Sequence, residues 1–300
     1  EYAIMKTATQ INFIKYSPIC FLISFLLVSV FLGGIVYKRS VRGSAFIYSV
    51  DFTGGTQVLF GFSQPVTSEK VLAILEKQGF SGATAREFSN SEVLIRVKEF
   101  EADSEGLGQK IKFVLEQNLD KVQVVVKQTD SVGPGVGGDL RKNSLIAIIL
   151  ALVGMLLYIG WRFWSFSYAV GSVVALMHDA LVMLTFVLWF DYEISMPIIG
   201  SILFILGYSI NDTIVIFARI RENVAKSPGM PMVTVVNKSI NETLSRTILT
   251  SISTCLVIFA LLVFGGEALK IFSVSLLIGV IFGTYSSIYV ASPVMLLLHK

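Results

Sequence analysis

The sequence predicts an integral membrane protein: a bundle of six transmembrane helices with a ferredoxin-like α+β domain inserted between helices 1 and 2. Hydrophobic residues make up 54% of the 300 residues and charged residues only 15%, with a mean hydropathy of +0.73. A soluble domain carries about 25% charged residues. The apolar residues are concentrated in six stretches, and the segment between the first two has the alternating pattern of a folded soluble domain.

Each apolar stretch has close to the roughly 20 residues that a helix needs to cross a hydrocarbon core about 30 Å thick. Irregular backbone cannot face lipid, so each stretch is expected to be helical. The six are residues 17–37, 143–160, 168–190, 197–218, 247–265 and 271–298. We therefore expect an N-terminal segment with helix 1 (1–37), an inserted domain (38–142) and helices 2–6 (143–300).

The inserted domain contains six predicted elements in the order βαββαβ. Residues 56–62, 84–88, 92–98 and 122–127 have strand patterns. Residues 67–78, with Thr67 as N-cap, and 103–119 have helical patterns. This order is that of a ferredoxin-like split βαβ fold, which by itself says little about function.

The orientation of the bundle follows from lysine and arginine in the short loops, because basic residues favour the cytoplasmic side. The loops after helices 2 and 4 hold six basic residues, and the opposite loops hold one; the six are Arg162, Arg219, Arg221, Lys226, Lys238 and Arg246. We expect both termini in the cytoplasm and the inserted domain outside. Lys38, Arg39 and Arg42 disagree with this, since they follow helix 1 on the outer side.

Several kinds of function find no support in the sequence. The net charge of +3 gives no reason to expect nucleic acid, and Cys20 and Cys255 lie in apolar runs without metal-ligand spacing. No HExxH, GxSxG or ATP-binding motif is present, so we expect no enzyme activity, no cofactor and an energy source other than ATP. The glycine-rich segments 51–56 and 132–138 lack a phosphate-loop lysine and are interpreted as turns and hinges.

Ionisable residues inside predicted spans carry the strongest functional signal, because each costs roughly 2.5–3.5 kcal/mol or more near the bilayer centre. Asp212 lies in helix 4, about 10 Å before Arg219 at 1.5 Å per residue. It is either a carboxylate paired structurally with an arginine or a proton carrier controlled by burial and a nearby cation. We favour the proton carrier, with Ser209 and Asn211 beside it on the pathway.

A polar stripe on helix 5 offers a partner for this aspartate. Arg246 precedes the stripe, whose members recur on one helical face: Thr247, Thr250, Ser251 and Thr254. The stripe can hold water beside Asp212, or its hydroxyls can bond to their own helix carbonyls. We include these residues in the predicted proton pathway.

His178 and Asp179 lie near the middle of helix 3. Adjacent residues on a helix point about 100° apart, so the two side chains need not face one cavity. A structural pair and a place on the proton pathway both remain open. A separate small-residue stripe in helix 6, formed by Ser275, Gly279, Gly283 and Ser287, predicts close helix packing.

Several motifs together resemble the SecD/SecF family of protein-export membrane proteins. Residues 51–56 (DFTGGT) and Val132-Gly133-Pro134 are similar to segments at the two ends of the family's periplasmic domain. Residues 207–223 (GYSINDTIVIFARIREN) and 241–251 (NETLSRTILTS) resemble SecF rather than SecD, and His178-Asp179 fits the third-helix pattern. The match extends from helix 1 to helix 6.

The resemblance implies half of a pseudo-symmetric transporter of the resistance–nodulation–division (RND) superfamily, in which SecD and SecF pair in the bacterial inner membrane. The two use the proton motive force to promote preprotein export. The implied partners are SecA, the SecYEG channel and a YajC-like accessory protein. In the family, the residues that match Asp212 and Arg246 belong to the proton pathway. Family members commonly have Asp where this chain has Ala218, so that position is not expected to be required.

Other interpretations remain at this stage. A small-molecule or lipid transporter of the same superfamily is one, although such transporters usually carry both six-helix halves in one chain. A membrane enzyme or sterol-sensing-type regulator is another, and its catalytic motifs are missing. The N-terminus lacks a methionine and fits either a SecF half cut from a SecD–SecF fusion or a trimmed chain. Residues 17–37 are too long for a signal-peptide core of about 7–15 residues and are expected to anchor the chain.

Overall fold

The computed structural model describes residues 11–80, 82–89, 91–97, 104–119 and 122–299. The described residues form two compact units. Those within Glu1–Ile47 and Ala147–Lys300 make up the membrane unit, and those within Tyr48–Ile146 make up the inserted domain. Positions 1–10, 81, 90, 98–103, 120, 121 and 300, some of which fall within predicted elements, lie outside the described residues.

Six described helices are long and apolar enough to cross a membrane. They are α1 (Phe13–Arg42), α5 (Pro134–Phe163), α6 (Phe166–Trp189), α7 (Met196–Lys226), α8 (Met232–Phe264) and a sixth span. The sixth span consists of α9 (Glu267–Ser286), a π-helical turn (Ser287–Ala291) and α10 (Ser292–Leu298). The six predicted stretches are therefore helical, and the last is interrupted by a π turn that the sequence pattern did not indicate.

The helices α7 and α8 are longer than predicted, at 31 and 33 residues. At 1.5 Å per residue they reach about 46–50 Å, more than the hydrocarbon core requires. The basic residues assigned to the loop between them, including Arg219 and Arg246, are therefore helical, and the connection is only the short segment 227–231. The pattern predicts a loop there because charged residues on an exposed helix surface have the same polar composition as a loop.

The inserted domain contains the predicted βαββαβ order. Its elements are β2 (Gly55–Phe62), α3 (Ser68–Lys77), β3 (Thr84–Ser89), β4 (Glu92–Val97), α4 (Ser104–Asn118) and β5 (Val124–Val132). The strands form one antiparallel sheet in the order β3-β4-β2-β5, which is the ferredoxin-like arrangement. Val58, Phe60, Ile95, Ile111 and Leu115 form its core between sheet and helices.

The first glycine-rich segment contains a predicted turn, since Gly54 and Gly55 have φ values of 73° and 108°, and both segments also contain helix. Between the short elements β1 (Ile47–Tyr48) and β2, residues Val50–Thr53 form one helical turn, α2. At the other end, β5 continues to Val132 and Pro134 begins α5. A Cβ atom added at Gly137 would lie 2.9 Å from the Gly54 nitrogen, so the two segments are in direct backbone contact. Glycine is needed there for close packing rather than for flexibility.

Helix α1 is held by polar contacts at both ends. At its start, the Asn237 side chain accepts from the Ile14 N–H at 3.4 Å, and the Asn237 and Asn241 amides donate to the Ile11 carbonyl. The bond to Ile14 satisfies one of the N–H groups that a helix start leaves free, and the two amide donations hold the residue before the N-cap against α8. At the other end α1 continues to Arg42, five residues beyond the predicted limit of 37, and Gly43 closes it in a left-handed conformation with φ 78°.

Asp191 explains why basic residues can follow helix 1. Lys38 Nζ lies 2.6 Å from Asp191 Oδ2, and Arg42 Nη1 lies 2.5 Å from Asp191 Oδ1. Asp191 connects α6 to the short strand β6 (Glu193–Ile194) and has φ 53°. The Tyr192 N–H reaches back to the Val187 carbonyl at 3.0 Å, which gives the helix end a Schellman-type closure. Asp191 thus pairs with both basic side chains and offsets one of their two positive charges.

Candidate intramembrane proton site

Asp212 lies on the buried face of α7 and is 3% exposed. Its Oδ2 atom is buried and has no hydrogen-bond partner among the described residues. A carboxylate with such an oxygen can take up or release a proton there without breaking an existing hydrogen bond. This arrangement supports the prediction that Asp212 carries a proton, and it does not support a direct structural ion pair.

Arg246 does not make a close contact with Asp212. The two residues form no ion pair within 4.0 Å in the described part of the chain. Arg246 itself is exposed at the surface of this chain. The next residue, Thr247, is buried, and its Oγ1 atom is also without a hydrogen-bond partner in the described structure.

A polar network outside the apolar core holds α7 against α8 near these residues. Glu242 accepts from Arg219 Nε at 2.6 Å and from Asn223 Nδ2 at 2.7 Å. Asn223 also donates to Ser239 Oγ at 2.9 Å. Glu242 lies one helical turn before Arg246, so the network sets where Arg246 stands relative to α7.

The members of the polar stripe on α8 differ in burial and in hydrogen-bond partners. Thr250 donates to its own helix carbonyls at 2.9–3.1 Å, which is the structural alternative considered above. Ser251 instead bonds across helices, to Thr284 Oγ1 at 2.6 Å, and accepts from Tyr208 at 3.4 Å. Thr254 is half-buried. Only Thr247 and Ser251 are buried members of the stripe.

Asn211 and Ser209 lie on different sides of α7. Asn211 is exposed, whereas Ser209 is fully buried one turn before Asp212. Ser209 contacts Asp179 and not Asp212, since its Oγ donates to Asp179 Oδ2 at 2.6 Å. The structure therefore separates two neighbouring residues that the sequence motif had grouped.

His178 and Asp179 form a second buried polar centre on α6. Their side chains contact each other, with His178 Nδ1 3.1 Å from Asp179 Oδ1, although adjacent positions need not converge. Ser286, on α9, donates to Asp179 Oδ2 at 2.8 Å. Ser286, Thr284 and Tyr208 are not among the predicted site residues, because a single hydroxyl on a transmembrane helix usually bonds its own backbone and gives no distinctive pattern.

Small residues let α9 approach α7 at this level. A Cβ atom added at Gly279 would lie 2.3 Å from Ile205 Cγ1, and one at Gly283 would lie 3.1 Å from Ser209 Cβ. The predicted close packing of the glycine stripe is confirmed, and it brings the helix that carries Ser286 next to the helix that carries Asp212.

A six-helix bundle with a ferredoxin-like insertion and buried carboxylates on its central helices defines the chain as one half of an RND-type membrane transporter. The pattern described as Protein export membrane protein SecD/SecF, C-terminal, matches residues 112–300, and that of the SecD/SecF GG motif matches residues 46–66. The chain belongs to the SecD/SecF family.

Relatives over nearly the whole length are SecF proteins. The chain is 38% identical over 295 residues to protein translocase subunit SecF of Thermodesulfovibrio yellowstonii, covering 97% of this chain and 96% of the relative. It is 37% identical over 290 residues to protein translocase subunit SecF of Pseudomonas aeruginosa, covering 96% and 92%. The predicted resemblance to SecF is thereby confirmed.

Two solved structures of SecDF have the same fold. The translocon-associated membrane protein SecDF of Thermus thermophilus matches with a TM-score of 0.86 and 32% identity over 98% of this chain. SecDF in the Super-membrane-facing form matches with a TM-score of 0.69 and 34% identity over 97% of this chain. The chain spans 39% of the length of each SecDF chain.

Proposed function

We propose that this chain is the SecF subunit of a bacterial Sec translocase and that, with SecD, it uses the proton motive force to promote preprotein export. The relatives named SecF match it over nearly their full length. The observation that carries the energy coupling is Asp212, a buried carboxylate with an unpartnered oxygen inside a membrane-spanning helix. Moving one proton through a potential of 100 mV supplies about 2.3 kcal/mol.

Asp212 is proposed to take up and release the proton, with Arg246 as the cation that favours its charged form. Thr247 and Ser251, buried on the neighbouring helix, are proposed to line the approach to Asp212. Asn211, Thr250 and Thr254 stay predictions without a contact to Asp212. The pathway is expected to be completed by residues of the SecD half.

The proposed setting is the bacterial inner membrane, with both termini in the cytoplasm and the inserted domain in the periplasm. The basic residues at the shared end of α7 and α8 support this orientation. Lys38, Arg39 and Arg42 weigh little against it, because they precede a long inserted domain and long domains cross the membrane largely regardless of charge. Reporters fused after Ser227 and inserted after Gln64 should lie on the cytoplasmic and periplasmic sides respectively, and both on one side would contradict the helix count.

The proposed partners are SecD, as a separate chain or a fused half, the SecYEG channel with SecA, a YajC-like protein, and the preprotein itself. SecDF structures that contain a fold similar to this chain in 39% of their length support the pairing with SecD. Co-purification of a second six-helix half with this chain tests that pairing directly.

The substitution Asp212→Asn tests the energy coupling. It keeps the shape of the side chain and removes its titration, so we expect an assembled complex that has lost gradient-dependent stimulation of export. The measurement is preprotein export into inverted membrane vesicles with and without a proton gradient, with assembly checked by co-purification. Asp139→Asn is the matched control, because it makes the same chemical change at an exposed position and should keep the stimulation. Normal stimulation in Asp212→Asn would overturn the carrier role.

A further inference from the structure

Asp179 bridges three membrane-spanning helices. It lies on α6 and is fully buried. Its Oδ2 atom accepts from Ser209 Oγ on α7 at 2.6 Å and from Ser286 Oγ on α9 at 2.8 Å. Its Oδ1 atom lies 3.1 Å from His178 Nδ1. Both carboxylate oxygens are therefore partnered, in contrast to the unpartnered Oδ2 of Asp212.

This difference in hydrogen bonding indicates different roles for Asp179 and Asp212. To act as a proton carrier at Oδ2, Asp179 would have to displace a hydroxyl that already donates to that oxygen. We propose that Asp179 is a positioning residue: together with Ser209 and Ser286 it clamps α7 to α9 and so holds Asp212, one helical turn further along α7, in its working position.

The packing around the clamp explains why such a polar contact is useful. Helix α9 presents Gly279 and Gly283 to α7, and a Cβ atom at Gly283 would lie 3.1 Å from Ser209 Cβ and 3.7 Å from Asp179 Oδ2. Helices in lipid associate through van der Waals packing of small residues and through hydrogen bonds between polar side chains. A buried polar group with fixed partners can specify one register.

The clamp also stands at an irregular point of the sixth span. Ser286 is the last residue of α9, and the π turn Ser287–Ala291 begins directly after it. A Cβ atom at Gly171 of α6 would lie 2.7 Å from the carbonyl of Ala291, the last residue of the turn, and 3.0 Å from the Cβ of Met295 in α10, beyond the turn. Helix α6 is thus in close contact with the sixth span on both sides of the π turn, and π turns frequently occur at functional sites.

The substitution Asp179→Asn distinguishes a clamp from a proton station. An amide oxygen in place of Oδ2 can accept from both serines, and the amide nitrogen in place of Oδ1 can donate to His178 Nδ1 in the tautomer with that nitrogen unprotonated. The contacts survive and the titration is lost. A clamp predicts that Asp179→Asn keeps gradient-dependent export within about threefold of the wild type, since only a charge-assisted bond is weakened.

The double substitution Ser209→Ala/Ser286→Ala removes both donors and leaves a buried charge without them. We expect gradient-dependent export to fall by roughly tenfold or more and the unfolding temperature of the complex to drop. Adding Asp179→Asn to this pair should restore both quantities in part, because an amide without donors is less costly to bury than a carboxylate without donors. If the double variant does not assemble, assembly is scored instead, and the triple variant should recover it.

The export measurement rests on the proposed function, whereas unfolding temperature and assembly do not. Asp179→Asn that assembles, melts normally and loses gradient-dependent export would show that Asp179 carries a proton and overturn the clamp. An unchanged double variant, or a triple variant that recovers nothing, would also overturn it. Failure of the proposed function appears separately, as retained stimulation in Asp212→Asn, and leaves the unfolding comparison of the serine variants intact.

Discussion

Replacement of Asp191 by asparagine isolates the charge that holds the two basic residues at the end of α1. Asparagine tolerates the left-handed backbone of this position, where φ is 53°, so the substitution adds little backbone strain. It removes the ion pairs to Lys38 and Arg42, whose side chains are 13% and 25% exposed. We expect Asp191→Asn to lower the stability of the membrane unit.

The magnitude follows from the exposure of the three side chains. Asp191 is itself 41% exposed, so solvent screens both pairs. Two such pairs contribute about 1–2 kcal/mol in total. That loss corresponds to a decrease of roughly 2–8 °C in melting temperature by the scaling for chains of 150–250 residues. High salt should reduce the difference, because exposed ion pairs are screened.

The difference should also depend on pH. Partial burial raises the pKa of Asp191, but the hydrogen bonds and charges of Lys38 and Arg42 outweigh it and hold the pKa below its ordinary value. The stabilisation is therefore complete above the unfolded pKa of about 3.9 and is lost as the pH falls through the lower, folded pKa. Wild type and Asp191→Asn should converge in acid.

The assay is thermal unfolding of the purified protein in detergent at pH 7 and at stepwise lower pH. Asp139→Asn is the control, since Asp139 is an exposed acid of α5, and it should change the melting temperature little. Equal melting temperatures for wild type and Asp191→Asn at pH 7 would refute the argument. So would a difference that keeps its full size at pH 2.

Two pairs of glycines are expected to respond differently to replacement by alanine, because one member of each pair is closely packed and the other faces open space. Gly279→Ala should lower stability by about 1–3 kcal/mol, because its Cβ would lie 2.3 Å from Ile205 Cγ1, whereas Gly207→Ala, with open space, should raise it by about 0.5–1 kcal/mol. Thermal unfolding measures both, and equal effects would contradict the close approach of α9 to α7. Gly137→Ala should destabilise the inserted domain by about 1–3 kcal/mol through backbone contact, and Gly138→Ala, again in open space, should not. A tolerated Gly137→Ala would contradict the contact between the glycine segments.

The number and type of the long elements could be predicted because their signals are local. Apolar runs near 20 residues and alternating strand patterns depend on neighbouring residues alone. The last strand was placed at 122–127 and lies at Val124–Val132. Its polar second half, from Lys127 to Ser131, has no apolar alternation, and it is strand because it pairs with β2. That pairing joins segments far apart in the sequence, so a local pattern does not reveal it.

The residues of the candidate site could likewise be predicted from local signals, whereas their surroundings could not. Asp212 and Asp179 could be found because a carboxylate inside an apolar run is locally conspicuous. Their environments could not be found, since the Ser286–Asp179 bond joins residues 107 positions apart. The sequence also gives no means to tell the partnered aspartate from the unpartnered one, although that distinction decides which of them can exchange a proton freely.

The side-chain amides that contact the start of α1 are synthesised long after α1 itself. Ile11 and Asn237 are 226 residues apart, so at about 5–20 residues per second α1 is synthesised roughly 11–45 s before its capping partner. During that interval α1, with a mean hydropathy of 2.8 over its most apolar window, can reside in lipid as a single helix. Its first turn must meanwhile be satisfied by water and Asn12. Helix α1 is therefore synthesised well before the Asn237 side chain that fixes its first turn.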